Sequence, residues 1–173
     1  MRVIRSAKPY WIYLIITGKK KAEIGKDFPK SPDWDRIVEM YCSKDKKSFN
    51  LIPEKDREWM RKYLGKIACK FTCKTIDEYN TSWLDGEDML KNTTCLDDVE
   101  IMDYMDCYTH RKFYCWNISY LEVYDNPKEL SEFVGVCRKS CLNCKYVKYF
   151  DGLCDERGTY KFARPPQSWC YAG

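Results

Sequence analysis

Lys20 and Glu23, in the run Gly18-Lys19-Lys20-Lys21-Ala22-Glu23-Ile24, are the residues of this chain whose types and spacing could do chemistry. A lysine and a carboxylate three residues apart beside a helix end can hold a phosphate or a base edge, or move a proton. Side chains three apart on a strand point to opposite faces. The pair therefore converges only if Lys20 still lies in the turn that precedes the strand. The competing reading is a solvated lysine run on a surface turn.

The elements that must position this pair are legible around it. Trp11, Leu14, Ile15 and Gly18 recur at helical spacing behind Pro9, so Pro9 to Thr17 reads as a short helix with Gly18 as its stop. A strand then emerges through Ala22 and Ile24. After the Pro-rich connection Phe28 to Pro32, Ile37 to Cys42 reads as a buried strand, with Ser43 and Lys44 at its end. Pro53 opens a helix through Leu64, closed by Gly65, and Ile67 to Cys73 alternates as a half-buried strand. Phe113 to Tyr124 reads as one long strand with Tyr114, Trp116, Ile118 and Tyr120 on one face, and Asn126-Pro127-Lys128-Glu129 as the start of a helix through Phe133.

The 173 residues suffice for one substantial core plus an appendage. Six Trp and fourteen Tyr supply core mass and base-stacking surface, which argues against disorder. The net charge of +4 is unevenly spread. Residues 18–30 carry five lysines against Glu23 and Asp27, a net +3, whereas residues 85–106 carry eight acids against Lys91, a net −7. This polarity disfavours a strong non-specific DNA binder and fits one anion-attracting face. The acidic stretch, roughly 82–106, reads as a solvated insertion with a short helix. The basic and apolar start, Arg2 to Ile16, runs into Gly18 and three lysines instead of a small-residue cleavage site. The expectation is a cytoplasmic protein, with the three N-glycosylation sequons at Asn80, Asn92 and Asn117 as chance matches.

Eleven cysteines are an odd number, which rules out complete internal pairing. Cys69, Cys73 and Cys115 lie within strand patterns and read as buried small hydrophobes. Cys137-x3-Cys141-x2-Cys144-x9-Cys154 is spaced like a four-thiolate structural zinc site, with Cys107 and Cys170 as substitutes for Cys137 or Cys154. Free thiols or local disulfides are the alternative.

Taken together, Ser6-Ala7-Lys8-Pro9, Gly18-x-Lys20-x-x-Glu23, Gly65-Lys66-Ile67-Ala68-Cys69, Tyr124-x-x-Pro127-Lys128-Glu129-Leu130 and Arg164-Pro165-Pro166-Gln167-Ser168-Trp169-Cys170-Tyr171 resemble the ASCH domain family, nearest to its bacteriophage and prophage version. The resemblance covers nearly the whole chain. It implies an α+β fold, a PUA-like β-barrel with flanking helices. Combined with the charge and cysteine patterns, this divides the chain into a barrel over 1–134 with the acidic insertion near 82–106, a Cys-rich, zinc-binding-like segment over 135–160, and a C-terminal strand over 161–173 that returns to the barrel. It places Lys20 and Glu23 at a cleft suited to RNA or a nucleotide, with Ser6 and Lys8 on the neighbouring wall. Two departures stand out. Gly25 occupies the position where the family's element usually continues with arginine, and Asn117 stands where many relatives have a histidine. His110, the one histidine of the chain, reads as solvated.

The function this implies is binding of RNA or a small nucleotide in a basic cleft by a phage or prophage accessory factor in the bacterial host cell. Lys8, Lys20, Lys26 and Arg164 would attract phosphate, Trp169 or Tyr41 would stack a base, and Gln167 and Ser168 would read its edge. Ser43 and Lys44 are counted with them. Some ASCH-related proteins resemble amidohydrolases acting on modified nucleosides and others ribonucleases; in that reading Lys20 and Glu23 are the catalytic pair. A third reading is a counter-defence protein that sequesters a signalling nucleotide or a host protein. With Gly25 in place of the family's arginine and Asn117 in place of its late-strand histidine, the site is read as binding rather than catalytic.

Overall fold

The computed structural model describes residues 1–29, 36–84, 90–106, 112–136 and 158–173. In chain order the elements are β1 (Arg2–Ala7), α1 (Pro9–Ile16), β2 (Ala22–Gly25), β3 (Arg36–Cys42), α2 (Lys46–Phe49), α3 (Glu54–Met60), β4 (Ile67–Cys73), β5 (Ile76–Asn80), α4 (Lys91–Thr94), α5 (Asp98–Met105), β6 (Lys112–Asn117), β7 (Ser119–Lys128), β8 (Val134–Val136), β9 (Thr159–Lys161) and β10 (Trp169–Ala172). They build a sheet-dominated α+β core. Among the described residues one sheet of seven strands has the order β7-β4-β3-β1-β10-β8-β9, and one of three strands the order β2-β6-β5.

Strand β1 is central, parallel to β3 from Arg2↔Ile37 to Ala7↔Cys42 and antiparallel to β10 from Arg2↔Ala172 to Arg5↔Trp169. Parallel pairing demands a crossover, and α1 with β2 provides it. A central strand covered on both faces loses the alternation of a half-buried one, and Val3, Ile4 and Arg5 are all buried in succession. The main core joins Val3, Ile12, Leu14, Ile15, Val38, Met40, Phe71 and Trp116. A fully buried side chain of this size stabilises by roughly 2 kcal/mol through removal of apolar surface from water, and Trp116→Ala is the single change that would hurt this core most.

Three sequence expectations are corrected. Phe113 to Tyr124 is two strands: β6 pairs with β2 and β5 in the small sheet, β7 pairs with β4 in the large one, and the chain changes sheet at Ile118. Ile118 N is held by the Lys21 carbonyl at that change. Tyr120 there has a φ of 50°, so the one-face pattern does not run through. Second, Asn126-Pro127 does not open a helix. Pairing of β7 with β4 continues to Ile67↔Lys128, and the reciprocal cap forms further on, between Glu129 and Glu132, around a single 3-10 turn at Leu130–Glu132. Pro127 is tolerated because β7 is an edge strand. Third, residues 90–106 are not a solvated insertion: Leu90, Leu96, Ile101 and Met105 pack on Ala22, Ile24, Phe113 and Cys115 to form a second core.

Cys107, His110 and the proposed zinc ligands Cys137, Cys141, Cys144 and Cys154 lie outside the described residues. Among the described residues no group of three or more His, Cys, Asp or Glu is placed to hold a metal ion. No described helix is long and apolar enough to cross a membrane.

Candidate functional site

The site starts at the β1–α1 corner. Lys8 is the N-cap with extended backbone (φ −72°, ψ 154°), Pro9 follows in the first turn, and the Lys8 carbonyl accepts from Trp11 N and Ile12 N at 3.1 and 3.2 Å. Proline fits there because its missing N–H would have had no helical acceptor. This corner presents Ser6, Lys8 and Trp11 to one cavity.

At the far end of α1, Gly18 takes the left-handed conformation (φ 71°) that stops a helix at little cost. Lys19 N and Lys20 N both donate to the Leu14 carbonyl at 2.9 Å. Lys20 is thus still in the turn, two residues ahead of β2, and the geometric condition set by the sequence is met. Its ammonium is buried, donates to the Thr94 carbonyl at 2.5 Å, lies 3.6 Å from Glu23 Oε2 and stands 4.9 Å from the centre of the Trp11 ring.

Glu23 is itself buried, and its other oxygen, Oε1, lies 3.5 Å from Arg5 Nη2. Arg5 is 2% exposed; it donates to the Ile24 carbonyl at 2.5 Å and its guanidinium lies 4.9 Å over the Trp116 ring. The carboxylate therefore sits between a guanidinium and an ammonium at nearly equal distance. A buried carboxylate is costly unless charge and hydrogen bonds compensate it, and two cations do so here. Glu23 Oε2 nevertheless accepts no hydrogen bond from the described residues, and the hydroxyls of Ser6 and Ser43 have no such partner either.

These groups line a cavity of about 500 Å³, within the range of small-molecule sites. Of the twelve residues expected to bind ligand, it gathers Ser6, Lys8, Lys20, Glu23, Ser43, Gln167 and Ser168. The other five stand apart from its lining. Lys26 lies 5.5 Å over the Tyr104 ring. Tyr41 is buried with Ile4, Ile67, Tyr124 and Phe133 in a third core, so stacking on a base is not open to it. Lys44 lies across Gly65, whose missing Cβ leaves it room. Arg164 is exposed between β9 and β10. Trp169 packs 6.2 Å from Trp116 and donates from Nε1 to Asp27 at 2.7 Å. Asn117 donates to Thr75 and Asp77 instead of facing the cavity.

Sequence reasoning missed the rest of the polar and aromatic lining: Arg5, Trp11, and the wall of α5 formed by Glu100, Asp103 and Tyr104. The signal for α5 was present as Asp97-x-x-Glu100, a reciprocal cap in which the Asp97 side chain accepts from Glu100 N and the Glu100 side chain from Asp97 N. That cap starts the helix and puts Glu100, Asp103 and Tyr104 on one face by i, i+3, i+4 spacing. Burial raises the pKa of Tyr104 above its usual value, partly offset by the charge of Arg5. The lining as a whole is mixed in charge, with Arg5, Lys8 and Lys20 set against Glu23, Glu100 and Asp103.

The two-sheet α+β core around this cavity is similar in fold to solved ASCH proteins. The ASCH protein of Zymomonas mobilis superposes with a TM-score of 0.53 at 14% identity, covering 98% of this chain and 86% of that one. A tyrosine-to-phenylalanine variant of it gives 0.52 at 13% identity, covering 98% and 88%, and a serine-to-alanine variant 0.52 at 13%, covering 98% and 87%. At such identity the likeness is one of fold. No family model matches the chain, and no curated protein matches it.

Proposed function

We propose that the cavity binds a nucleotide-sized ligand, either a free nucleotide or one nucleotide of an RNA. The observation that carries this reading is the carboxylate of Glu23, held between Arg5 and Lys20 with one oxygen still able to accept, in a cavity of about 500 Å³ with aromatic walls. Trp11 and Tyr104 offer ring faces for a base, worth roughly 1–3 kcal/mol per stacked base. Glu23 accepts from a base N–H edge, while Ser6, Ser43, Gln167 and Ser168 hydrogen-bond the remaining edges. Exposed Lys8 at the mouth attracts a phosphate.

The test is mass spectrometry of whatever co-purifies with the protein after denaturation, followed by calorimetric titration of nucleosides, nucleoside monophosphates and short RNA. Trp11→Ala and Lys8→Ala are each expected to weaken binding roughly tenfold, a loss of about 1.4 kcal/mol. No binding of any of these compounds would sink the reading.

Hydrolysis of a modified nucleoside or of RNA is the second reading, favoured by two serine hydroxyls without a described partner beside the lysine–carboxylate pair. Against it, the Lys20 ammonium already donates to Thr94 and faces Glu23, which leaves it poorly placed to shuttle a proton. Turnover of either substrate class, lost in Lys20→Ala, would reverse the order of the two readings. A phage or prophage role, including sequestration of a signalling nucleotide or a host protein, is a third reading. It rests on the resemblance of the motifs from Ser6 to Tyr171 to the phage version of the family, and for a nucleotide it uses the same recognition chemistry. We propose further that Cys137, Cys141, Cys144 and Cys154 hold a structural zinc ion. Four thiolates fit a tetrahedral ion and leave no position open for substrate. Metal analysis of the purified chain, with loss of zinc in Cys144→Ser, tests it.

A further inference from the structure

The acidic wall of the cavity is built in. Lys20 Nζ donates to the Thr94 carbonyl at 2.5 Å, Lys21 N to the Thr93 carbonyl at 2.6 Å and Cys95 Sγ to the Lys19 carbonyl at 3.3 Å, so three successive lysines of the β2 turn clasp the end of α4. Ile101 and Met105 of α5 are fully buried on the small sheet. Residues 97–106 carry five carboxylates and no lysine or arginine, and Glu100 and Asp103, both exposed, turn towards the cavity. The same lining carries Arg5, Lys8 and Lys20. A running RNA strand carries a phosphate on each side of the nucleotide seated in a cleft. One phosphate can face Lys8, and the next is driven towards the α5 carboxylates, where like charges repel.

We infer that Glu100 and Asp103 are specificity residues that restrict the cavity to a single nucleotide unit with one anionic end, and exclude a through-running strand. This rests on the binding reading above and names its ligand class. The anionic end pairs with Lys8, and the donor-bearing end with the carboxylates of Glu23, Glu100 and Asp103. Asp97 N needs the Glu100 side chain as acceptor, and Gln at that position keeps it, so the wall can be neutralised without breaking the helix cap.

The experiment measures, at low ionic strength, calorimetric affinities for the four ribonucleoside 5′-monophosphates and fluorescence-anisotropy affinities for a short labelled single-stranded RNA, on the wild type and on E100Q/D103N. The wild type is expected to bind at least one monophosphate more tightly than the RNA. In E100Q/D103N the RNA-to-monophosphate affinity ratio should rise roughly tenfold or more, with a steeper salt dependence for RNA. D103N alone, which leaves the cap untouched, should move the ratio in the same direction. Wild-type RNA binding as tight as monophosphate binding, or an unchanged ratio in both variants, would overturn the inference while leaving the binding reading intact. Failure of the wild type to bind either probe would overturn both.

Discussion

The guanidinium of Arg5 lies against the space that a side chain on Gly25 would need: a Cβ built there would stand 3.2 Å from Arg5 Nη1 and 3.1 Å from Trp116 Nε1. The ASCH resemblance expects an arginine at position 25, where this chain has glycine. The structure supplies a buried guanidinium from β1 instead, stacked on Trp116 and bonded to the Ile24 carbonyl one residue away from Gly25. The glycine and the arginine are two halves of one packing solution.

That relationship predicts a coupled pair of substitutions. Gly25→Val must push aside Arg5, Trp116 or the Asp27 carbonyl, and is expected to cost about 2 kcal/mol, as overpacking of a filled core does. Arg5→Leu leaves Glu23 with Lys20 as its one close cation, a loss of about 3 kcal/mol. Removing Arg5 also removes one of the three atoms that crowd position 25, so the double variant should be less destabilised than the sum, with a coupling of about 1 kcal/mol. Urea unfolding of the four proteins checks this; strict additivity would show that Arg5 does not depend on Gly25.

The buried thiols predict an alkaline limit to stability. Burial pushes the pKa of Cys42, Cys69 and Cys115 up to about 12 from an ordinary value of 9.0. Between those values the unfolded chain gives up the thiol proton and the folded chain does not. Stability is therefore fully present below pH 9 and is lost as pH rises through 9 towards 12, by about 1 kcal/mol for each thiol at pH 10. The urea midpoint, followed in reductant from pH 7 to pH 10, should be flat up to pH 9 and fall beyond it. Tyr104 and Tyr124, also raised by burial, act in the same direction at higher pH. A midpoint that holds constant to pH 10 would refute the assignment of these thiols to dry core.

A buried acceptor away from the cavity gives a control for these measurements. Tyr124 donates from its hydroxyl to Glu39 Oε2 at 2.9 Å, and Glu39 is 1% exposed with Arg2 Nε 3.6 Å from its other oxygen. Tyr124→Phe removes one hydrogen bond to a charged group and is expected to cost about 2 kcal/mol. Ligand affinity should not change, since neither residue lines the cavity. A loss of affinity without loss of stability would mean that the large sheet transmits to the site.

Much of the positioning apparatus was legible because its causes are local. Pro9 and Gly18 bracket α1 by backbone chemistry alone, and that bracket decides that Lys20 stays in the turn and can reach Glu23. The period of two in β4 was equally plain. Ile118 was not readable as a change of sheet, since the alternation from Phe113 to Tyr120 is the same whether the partner strand is β5 or β4. Asn126-Pro127 is a genuine local cap signature overruled by the β4 ladder. Arg5 was hidden because a strand covered on both faces hides which face carries function, and Glu100 and Asp103 were hidden because charge alone does not show that Ile101 and Met105 anchor their helix.

Lys20 separates a ligand contact from a structural clasp, and its substitution predicts two readouts that move differently. The ammonium is shared between the Thr94 carbonyl and Glu23, so Lys20→Met leaves one buried acceptor unpaired and Glu23 dependent on Arg5 alone. The global cost should be about 3 kcal/mol. Lys20 Nζ is also a tie between the β2 turn and the end of α4, so amide exchange in residues 94–105 should accelerate beyond what the global loss explains, because α5 opens locally. Lys20→Arg keeps a donor for Thr94 and a charge for Glu23, and should restore protection of α5. Its planar, longer head should not restore ligand affinity if the ammonium itself contacts ligand. Hydrogen exchange and calorimetry on both variants decide the matter: recovery of protection and affinity together in Lys20→Arg would make Lys20 a clasp only, and recovery of protection alone would place its ammonium on the ligand.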